Sequence, residues 1–225
     1  MSAERGIGGG LSRSELAARV AMDIQDGEYV NLGIGLPTLV ANYLPADREI
    51  ILHTENGMLG MGPEARDGQR DPDLINAGKI PVTERLGAAY FHQADSFGMM
   101  RGGHLDVCVL GAFQVSEHGD LANWHTGRAD AIPAVGGAMD LALGARRVAV
   151  MMELTTRDGA PKLVAECGYP LTALACVSRL YTDVAVFDLH PERAAAVVEI
   201  FGDHSIDELR ELTGLGLMDE TEGRR

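Results

Sequence analysis

The order of helical and strand signals near the start of the chain constrains the fold more than any other feature. Residues 12–15 (SRSE) match a helix-capping box, and apolar residues at the spacing of one helical face follow them. Residues 29–33 predict a strand, and Pro37 suits the first turn of a second helix that runs to about residue 44. The apolar residues 50–52 predict a second strand. This helix-strand-helix-strand order predicts an α/β fold with an open, mostly parallel sheet flanked by helices.

Length and composition indicate one globular domain. The chain has 225 residues, of which 46% are hydrophobic, and its 28 glycines indicate many tight turns. We predict a single α/β domain at residues 11–215, because no linker or repeat divides this part of the sequence. Residues 1–10 are polar and Gly-rich, which predicts a flexible N-terminus, and residues 216–225 are charged, which predicts a frayed C-terminal tail.

Charge and residue spacing argue against several classes of partner. The net charge of −14 disfavours nucleic acid and anionic membranes, both of which require a basic surface. No apolar stretch approaches the roughly 20 residues of a membrane-spanning helix, and the seven histidines lack the spacing of a metal site. Cys108, Cys167 and Cys176 lack a Cys-x-x-Cys spacing and lie among apolar residues, which predicts core thiols in a reducing cytoplasm.

Glu55 is the strongest candidate for a catalytic residue. It follows the apolar run at residues 50–52 and precedes Asn56 and Gly57, a pair typical of sharp turns. We expect the chain to leave the sheet here, which would place the carboxylate at a strand end, where ligands bind in open α/β sheets. A carboxylate at such a position is partly desolvated, which raises its pKa and strips water from a nucleophile. The alternatives are a solvated turn residue and a cap for a following helix.

Two pairs of glycines could bring the backbone close to a ligand. Gly33 and Gly35 follow the first predicted strand, but Thr38 stands where a dinucleotide-binding fingerprint has its third glycine. These glycines therefore either approach a ligand or pack against a neighbouring strand end. Gly136 and Gly137 precede a short predicted helix, whose free amides could stabilise an oxyanion. The alternative is a simple loop that leads into a helix.

The rest of the chain predicts further elements of an α/β domain. Residues 57–86 show no clean period and are rich in Pro, Gly and charge, which is typical of a functional or lid segment, or of short elements that the pattern does not reveal. The remaining predicted strands span residues 105–112, 148–152 and 184–189, and the remaining predicted helices span residues 138–143 and 205–214.

Seven ordered motifs run through the chain. They are residues 31–37 (NLGIGLP), 55–63 (ENGMLGMGP), 73–79 (DLINAGK), 100–106 (MRGGHLD), 110–116 (LGAFQVS), 119–124 (GDLANW) and 135–141 (VGGAMDL). Together they resemble the B (β) subunits of the 3-oxoacid CoA-transferase family, over the stretch from about Leu11 to Leu215. Residues 125–127 (HTG) and 132–135 (IPAV) resemble the 3-oxoadipate branch of that family.

The resemblance implies a reaction at Glu55. The carboxylate would attack an acyl-CoA thioester, and the enzyme would pass through a glutamyl-CoA thioester while CoA moves from succinyl-CoA to a 3-oxoacid, here 3-oxoadipate. A carboxylate suits this exchange because it trades places with a carboxylate substrate and conserves the energy of the thioester. The resemblance implies no permanently bound cofactor and no metal, and the CoA thioester serves as a substrate.

The resemblance also implies roles for supporting residues. Gly137 and Ala138 would donate their amides to an oxyanion, and Gly136 would support the turn before them. A dicarboxylate such as 3-oxoadipate needs a cation for its second carboxylate, for which Arg101 and Lys79 are candidates unless a partner supplies it. The active-site loops would include Gly33, Gly35, Asn56 and Gly57.

Two positions depart from the family pattern. Leu154 stands where the family commonly has His, and Ala173 stands where it usually has Gly. Neither position touches the motif around Glu55, so the expected class of reaction is unchanged. The departures leave the acyl substrate open, with acetoacetate as the alternative to 3-oxoadipate.

The resemblance implies a partner, and two other functions stay open beside it. The family builds its active site from A and B subunits, so this chain would work with an A subunit in a heterodimer or heterotetramer. The other functions are a non-catalytic ligand-sensing domain of the same fold and a phosphosugar isomerase of a related fold. A sensor would not need Glu55 before Asn-Gly, and an isomerase would need a Lys or Asp base in a phosphate-binding loop.

Overall fold

A ten-stranded sheet forms the centre of the molecule. The computed structural model describes residues 9–127, 130, 132–133 and 135–224. In order across the sheet, the strands are β13 (Met218–Asp219), β12 (Arg193–Ile200), β11 (Ala185–His190), β10 (Val177–Tyr181), β8 (Arg147–Met151), β5 (Val107–Leu110), β1 (Tyr29–Leu32), β2 (Ile51–Thr54), β3 (Met58–Glu64) and β4 (Val82–Tyr90). A small second sheet contains β7 (Leu121–Ala122), β6 (Gln114–Ser116) and β9 (Leu163–Val164).

The middle of the large sheet is parallel. Strands β10, β8, β5, β1 and β2 run in one direction, whereas β3 and β4 on one side and β11 and β12 on the other pair antiparallel with their inner neighbours. All four residues of β5 (VCVL) are buried, because a central parallel strand is covered on both faces. The sequence prediction of an open, mostly parallel α/β sheet is confirmed for this central part.

Helices cover both faces of the sheet. They are α1 (Arg13–Asp23), α2 (Gln93–Arg101), α3 (Ala138–Gly144) and α4 (Ile206–Thr213), and two 3-10 helices span Leu36–Asn42 and Thr221–Arg224. Leu16 and Val20 of α1 pack into one apolar core with strand residues such as Val30. Met100 of α2, Leu141 of α3 and Leu209 of α4 belong to the core on the other face. The sheet therefore lies between two helical layers.

Both predicted capping boxes are present. Ser12 and Glu15 exchange side-chain and backbone hydrogen bonds at the start of α1, and Ser205 and Glu208 do the same at the start of α4. α4 ends at Gly214, whose φ of 71° lies in the left-handed region that glycine adopts at low cost. Local sequence signals are sufficient to define these two helices.

Several segments differ from the sequence prediction. Residues 57–86 contain β3 and the first part of β4, whose pairing is broken by register shifts, and such shifts hide the alternation of a regular strand. The helix expected from Pro37 to about residue 44 is the 3-10 helix Leu36–Asn42. The expected frayed tail is wrong at Met218–Asp219, which pair with β12. The predicted flexible N-terminus falls mainly on residues 1–8, which lie outside the described residues.

The parallel strands bring their following loops to one edge of the sheet. β1, β2 and β5 are neighbours in the sheet, and they end at Leu32, Thr54 and Leu110. Their three loops therefore meet at the carboxyl edge, where open α/β sheets bind ligands. Among the described residues, no helix combines the length and apolar character that crossing a membrane requires.

Candidate active site

A cavity of 410 Å³ opens at the carboxyl edge of the sheet. Its walls come from the loops after β1, β2 and β5 and from the start of α3, and Glu55 lies on it. Among the described residues that line this cavity, Glu55 is the only Asp, Glu, Lys or Arg. The cavity therefore surrounds a single carboxylate with apolar and neutral polar groups.

A larger groove of 1010 Å³ crosses the α1 side of the molecule, away from Glu55. Its charged groups neutralise one another, as in the ion pairs Arg19–Asp23 at 2.7 Å and Arg179–Asp188 at 2.6 Å. Charges that are already paired with each other exert little electrostatic attraction on a charged substrate. The smaller cavity at Glu55 is therefore the stronger candidate for the reaction site.

Glu55 lies in a tight turn between β2 and β3. The Gly57 N–H donates to the Thr54 carbonyl at 3.1 Å, which closes a turn with Glu55 and Asn56 at its centre. The Met58 N–H donates to the Thr54 hydroxyl at 3.1 Å and fixes the start of β3. The sequence expectation of a sharp turn holds, but the expectation that the chain leaves the sheet is wrong, because β3 returns antiparallel beside β2.

Glycine is required at position 57. Its φ is +111°, and a Cβ there would overlap the Phe91 carbonyl oxygen. Phe91 N–H donates to the Gly57 carbonyl at 3.0 Å, so the chain after β4 crosses the turn closely. Asn56 anchors the other side of the turn by donating its side-chain amide to the Ile75 carbonyl at 2.9 Å. Asn56 and Gly57 therefore hold the turn that carries Glu55.

The Glu55 carboxylate meets the backbone of the segment before α3. Burial raises the pKa of Glu55, and a hydrogen bond from the Gly137 N–H partly opposes that increase. A Cβ on Gly137 would overlap Glu55 Oε2, and it would lie 3.4 Å from Phe97 Cζ. Only glycine at position 137 lets the carboxylate approach the amide.

The amides of Gly137 and Ala138, which the sequence analysis paired, have different surroundings. The Ala138 N–H donates to the Val135 carbonyl at 3.0 Å, so the expected oxyanion role of Ala138 is wrong in this conformation. Gly136 has a φ of +48°, which fits its expected role in shaping the turn. Gly137 is therefore the amide that faces the carboxylate.

The glycines after β1 have separate roles. Gly33 lines the cavity, and its N–H donates to the Val109 carbonyl at 2.8 Å. Gly35 has a φ of +94° and precedes the 3-10 helix, where the Thr38 hydroxyl donates to the Gly35 carbonyl at 2.7 Å. Gly33 thus lets two strand ends pack closely beside the cavity, and Gly35 redirects the chain.

The two candidate cations differ in position. Lys79 is exposed and adopts a φ of 62° directly after Gly78, which lines the cavity. The Arg101 guanidinium lies 5.5 Å from the Phe97 ring centroid and donates to Asp140 at 2.6 Å. Arg101 is thus engaged at the surface between α2 and α3, and it does not line the cavity in this conformation. Lys79 remains a candidate at the rim.

Sequence reasoning missed several polar residues at this site. Asn31 and His53 line the cavity from buried strands, and Asn123 lines it from the loop after β7. Asn123 bonds Thr172 through its side chain and donates its amide to the Gly111 carbonyl at 3.1 Å. A polar residue inside an otherwise apolar strand was the available signal for Asn31 and His53.

The two departures from the family pattern lie in the core. Leu154 and Ala173 belong to the same buried apolar cluster, and neither lines the cavity. Leu154 N–H donates to Asp183 Oδ1 at 2.8 Å, and Ala173 pairs with Leu121 in a backbone bridge. Both side chains therefore serve packing behind the site.

Metal ligation has no support among the described residues. They contain no group of three or more His, Cys, Asp or Glu side chains that could hold a metal ion. The three cysteines are free thiols, and burial raises the pKa of Cys167 and of Cys176 to about 11. The described lining of the cavity thus offers one carboxylate, neutral polar side chains such as His53 and Asn123, and backbone amides.

Comparison with known proteins gives a consistent assignment. The family model described as coenzyme A transferase matches residues 13–210. The B subunit of 3-oxoadipate CoA-transferase from Pseudomonas putida is 65% identical over 92% of this chain and 97% of its own length. The B subunit of a probable succinyl-CoA:3-ketoacid coenzyme A transferase from Bacillus subtilis is 46% identical over 90% of this chain and 93% of its own length.

Solved structures share the fold. An acyl-CoA transferase from E. coli O157:H7, solved as a thioester complex with CoA, superposes with a TM-score of 0.71 at 21% identity. The match covers 93% of this chain and 42% of that chain. At this identity the likeness concerns the fold, and the reaction must be argued from the site.

Proposed function

The chain belongs to the coenzyme A transferase family, and we propose that it is the B subunit of an enzyme that moves CoA from succinyl-CoA to 3-oxoadipate through a thioester on Glu55. One observation carries the proposal: a single, partly desolvated carboxylate faces a cavity and is held against the Gly137 N–H. A ligand-sensing domain has no need for this arrangement, and the described cavity residues include no Lys or Asp that could act as an isomerase base.

The first half of the reaction loads CoA onto the enzyme. The Glu55 carboxylate attacks the thioester carbonyl of succinyl-CoA, the C–S bond breaks, and CoA leaves as a thiolate while a mixed anhydride forms. The thiolate then attacks the Glu55 carbonyl, and succinate leaves with the electron pair of the anhydride C–O bond. The enzyme is left as a Glu55–CoA thioester, and the acceptor carboxylate reverses these steps to depart as its CoA ester.

Gly137 has a direct role in this scheme. The attack of the thiolate on the Glu55 carbonyl places negative charge on a carboxyl oxygen of Glu55. The Gly137 N–H lies beside that carboxyl group and lowers its pKa, so it is placed to stabilise the oxyanion. The reaction consumes no redox equivalent, and CoA enters and leaves as part of the substrates.

The proposal includes an A subunit as partner. Apolar side chains at the cavity remain uncovered in this chain, with Ile34 63%, Phe113 40% and Val135 38% exposed. Exposed apolar groups at the mouth of a site are typical of a surface that another protein covers. The naming of the relatives as B subunits supports the same arrangement, as a heterodimer or a heterotetramer.

The choice of 3-oxoadipate rests on the relatives. The chain is 65% identical to a protein named for 3-oxoadipate and 46% identical to one named for 3-ketoacids. Lys79 at the rim, or a cation of the A subunit, would bind the distal carboxylate of the acceptor. If the reconstituted complex prefers acetoacetate, the acceptor is acetoacetate instead of 3-oxoadipate. The reaction proposed at Glu55 would be unchanged.

Trapping the enzyme thioester tests the proposal. The complex with its A subunit is incubated with succinyl-CoA and reduced with borohydride, and the modified peptide is mapped by mass spectrometry. We expect label on Glu55 in the wild type and in Glu64→Gln, which removes an exposed carboxylate at the far end of β3. Label on another residue, or none in an active complex, would overturn the proposal. The chain alone should show no transfer.

A further inference from the structure

Three buried polar side chains form a hydrogen-bonded chain behind the Glu55 turn. Asn31 Nδ2 lies 3.0 Å from His53 Nδ1, and His53 Nε2 lies 2.9 Å from Ser96 Oγ. Ser96 Oγ lies 3.0 Å from the Thr54 carbonyl oxygen. Asn31, His53 and Ser96 are only 2%, 1% and 0% exposed. The transfer steps proposed above assign no role to any of them.

The hydrogens in this chain have one direction. Asn31 Nδ2 also faces the His53 carbonyl oxygen at 3.2 Å, and only an amino group can donate to both acceptors. His53 Nδ1 therefore accepts, Nε2 carries the hydrogen and donates to Ser96 Oγ, and the Ser96 hydroxyl donates to Thr54. Burial lowers the pKa of His53 to about 4, so at neutral pH the ring has the single proton that this direction requires.

The chain ends on the first peptide of the turn. The Thr54 carbonyl accepts from Ser96 and also from the Gly57 N–H that closes the turn. Two donors on one carbonyl use both of its lone pairs and fix the plane of the Thr54–Glu55 peptide. A rotation of that peptide would swing the Glu55 side chain relative to the cavity.

Helix α2 connects this network to the opposite half of the site. Ser96 lies next to Phe97, whose ring contacts the position where Gly137 would carry a Cβ. One turn later, Arg101 of α2 donates to Asp140 of α3 at 2.6 Å. The hydrogen bond between His53 and Ser96 therefore sets the position of α2 against β2, and α2 in turn contacts the segment that presents the Gly137 amide.

We propose that His53 is a positioning residue that, through Ser96, holds the Glu55 carboxylate in register with the Gly137 amide. The inference rests on the proposed reaction at Glu55. A histidine that only fills the core would make a different prediction, because a buried polar group can often be replaced by an apolar group of similar shape at little cost in stability. If His53 positions Glu55, its substitution should lower the rate of thioester formation by more than the loss of thermal stability explains.

Paired variants of His53 separate the two roles. His53→Gln keeps one donor and one acceptor on a side chain of similar length, whereas His53→Leu removes both. In the complex with the A subunit, we expect His53→Leu to slow single-turnover formation of the enzyme thioester and kcat by about 10- to 100-fold, because a displacement of about 1 Å has effects of that size. KM for succinyl-CoA should change by less than about threefold, and His53→Gln should recover most of the rate.

Serine variants provide an independent arm. Ser96→Ala removes the link to Thr54 and should slow thioester formation in the same direction. Ser116→Ala is the matched control, since Ser116 is equally buried and accepts from the Asp120 N–H at 3.0 Å in the small sheet. The control should lose thermal stability to a similar extent but keep the wild-type rate of thioester formation.

Each outcome decides the inference. Wild-type rates in folded His53→Leu, or equal losses in His53→Gln and His53→Leu that follow the folded fraction, would overturn it. If His53→Leu does not fold, the rates of thioester formation in Ser96→Ala and Ser116→Ala are compared instead. Equal rates in these two variants would overturn the inference. Absence of a Glu55 thioester in the wild type would instead refute the proposed function.

Discussion

Two carboxylates at the same edge of the sheet have similar electrostatics and different surroundings. Glu55 follows β2, and Asp183 follows β10, and both strands belong to the parallel centre of the sheet. Burial raises the pKa of both side chains above the ordinary values for Glu and Asp. A search for perturbed pKa values alone would therefore select both as functional candidates.

Contacts distinguish the two groups. Asp183 is 8% exposed, and its Oδ1 accepts from the Leu154 N–H at 2.8 Å within the core. Glu55 is half-buried, lines a cavity of 410 Å³ and lies beside Gly137, where an added Cβ would overlap Glu55 Oε2. Desolvation prepares a carboxylate for attack, but only access to a cavity turns it into a nucleophile. Asp183 instead satisfies a buried backbone amide, which is a structural role.

Isosteric amides give the largest contrast between the two positions. Glu55→Gln should lower kcat by at least about 10⁴-fold, because an amide cannot form the enzyme thioester. Asp183→Asn should keep kcat within about threefold, because its side-chain oxygen can still accept from Leu154. Steady-state kinetics of both complexes, with circular dichroism as a folding control, check this prediction. A large loss of kcat in folded Asp183→Asn would contradict the structural role that we assign to Asp183.

A methyl group at Gly137 tests whether access to the amide matters. Gly137→Ala should lower kcat about 100-fold, because the new Cβ overlaps Glu55 Oε2 and displaces the carboxylate. Gly111→Ala is the matched control: it adds a methyl to the same cavity, and its nearest contact is Pro37 Cδ at 4.0 Å. Single-turnover thioester formation separates the variants. Equal rates in the two would show that the Gly137 contact is dispensable.

Local signals account for the parts of this picture that the sequence predicts. Glu55 could be selected because a buried strand ends directly before Asn-Gly, and α1 and α4 follow from their capping boxes. The return of β3 beside β2 could not be predicted, since Asn-Gly is compatible with a hairpin and with an exit from the sheet. Helix α2 contains Gly98, which lowers helix propensity, so its existence depends on packing.

Long-range contacts account for the rest of the site. The Ala138 amide is occupied by Val135, which depends on the turn geometry rather than on residue type. His53 and Ser96 are 43 positions apart in the chain, and no local pattern connects them. The sequence could thus point to the carboxylate that we propose as the nucleophile and to the turn glycines, but not to the residues that hold them in register.

The acid limb of the rate profile gives a smaller, graded effect. Because burial raises the pKa of Glu55 above the ordinary value of a glutamate, acidification protonates this carboxylate at a higher pH than an ordinary glutamate would require. We expect kcat/KM for succinyl-CoA to fall about tenfold per pH unit below a midpoint that lies above the pKa of an ordinary glutamate. Asp183→Asn should leave the midpoint in place. If the midpoint shifts in Asp183→Asn, the titrating group is Asp183 and not Glu55.

Leu154→His should have the smallest effect on specificity. This change introduces the residue that the family resemblance leads us to expect, but position 154 is 2% exposed and contacts the Asp183 side of the core rather than the cavity. The ratio of kcat/KM for 3-oxoadipate to that for acetoacetate should therefore stay within about twofold, since a group that does not touch the acyl chain cannot distinguish the two acceptors. The ratio is independent of the fraction of active enzyme, so a loss of stability from burying an imidazole does not obscure it. A tenfold change in this ratio would mean that the Asp183 region acts on the substrate, and the two carboxylates would then belong to one functional unit.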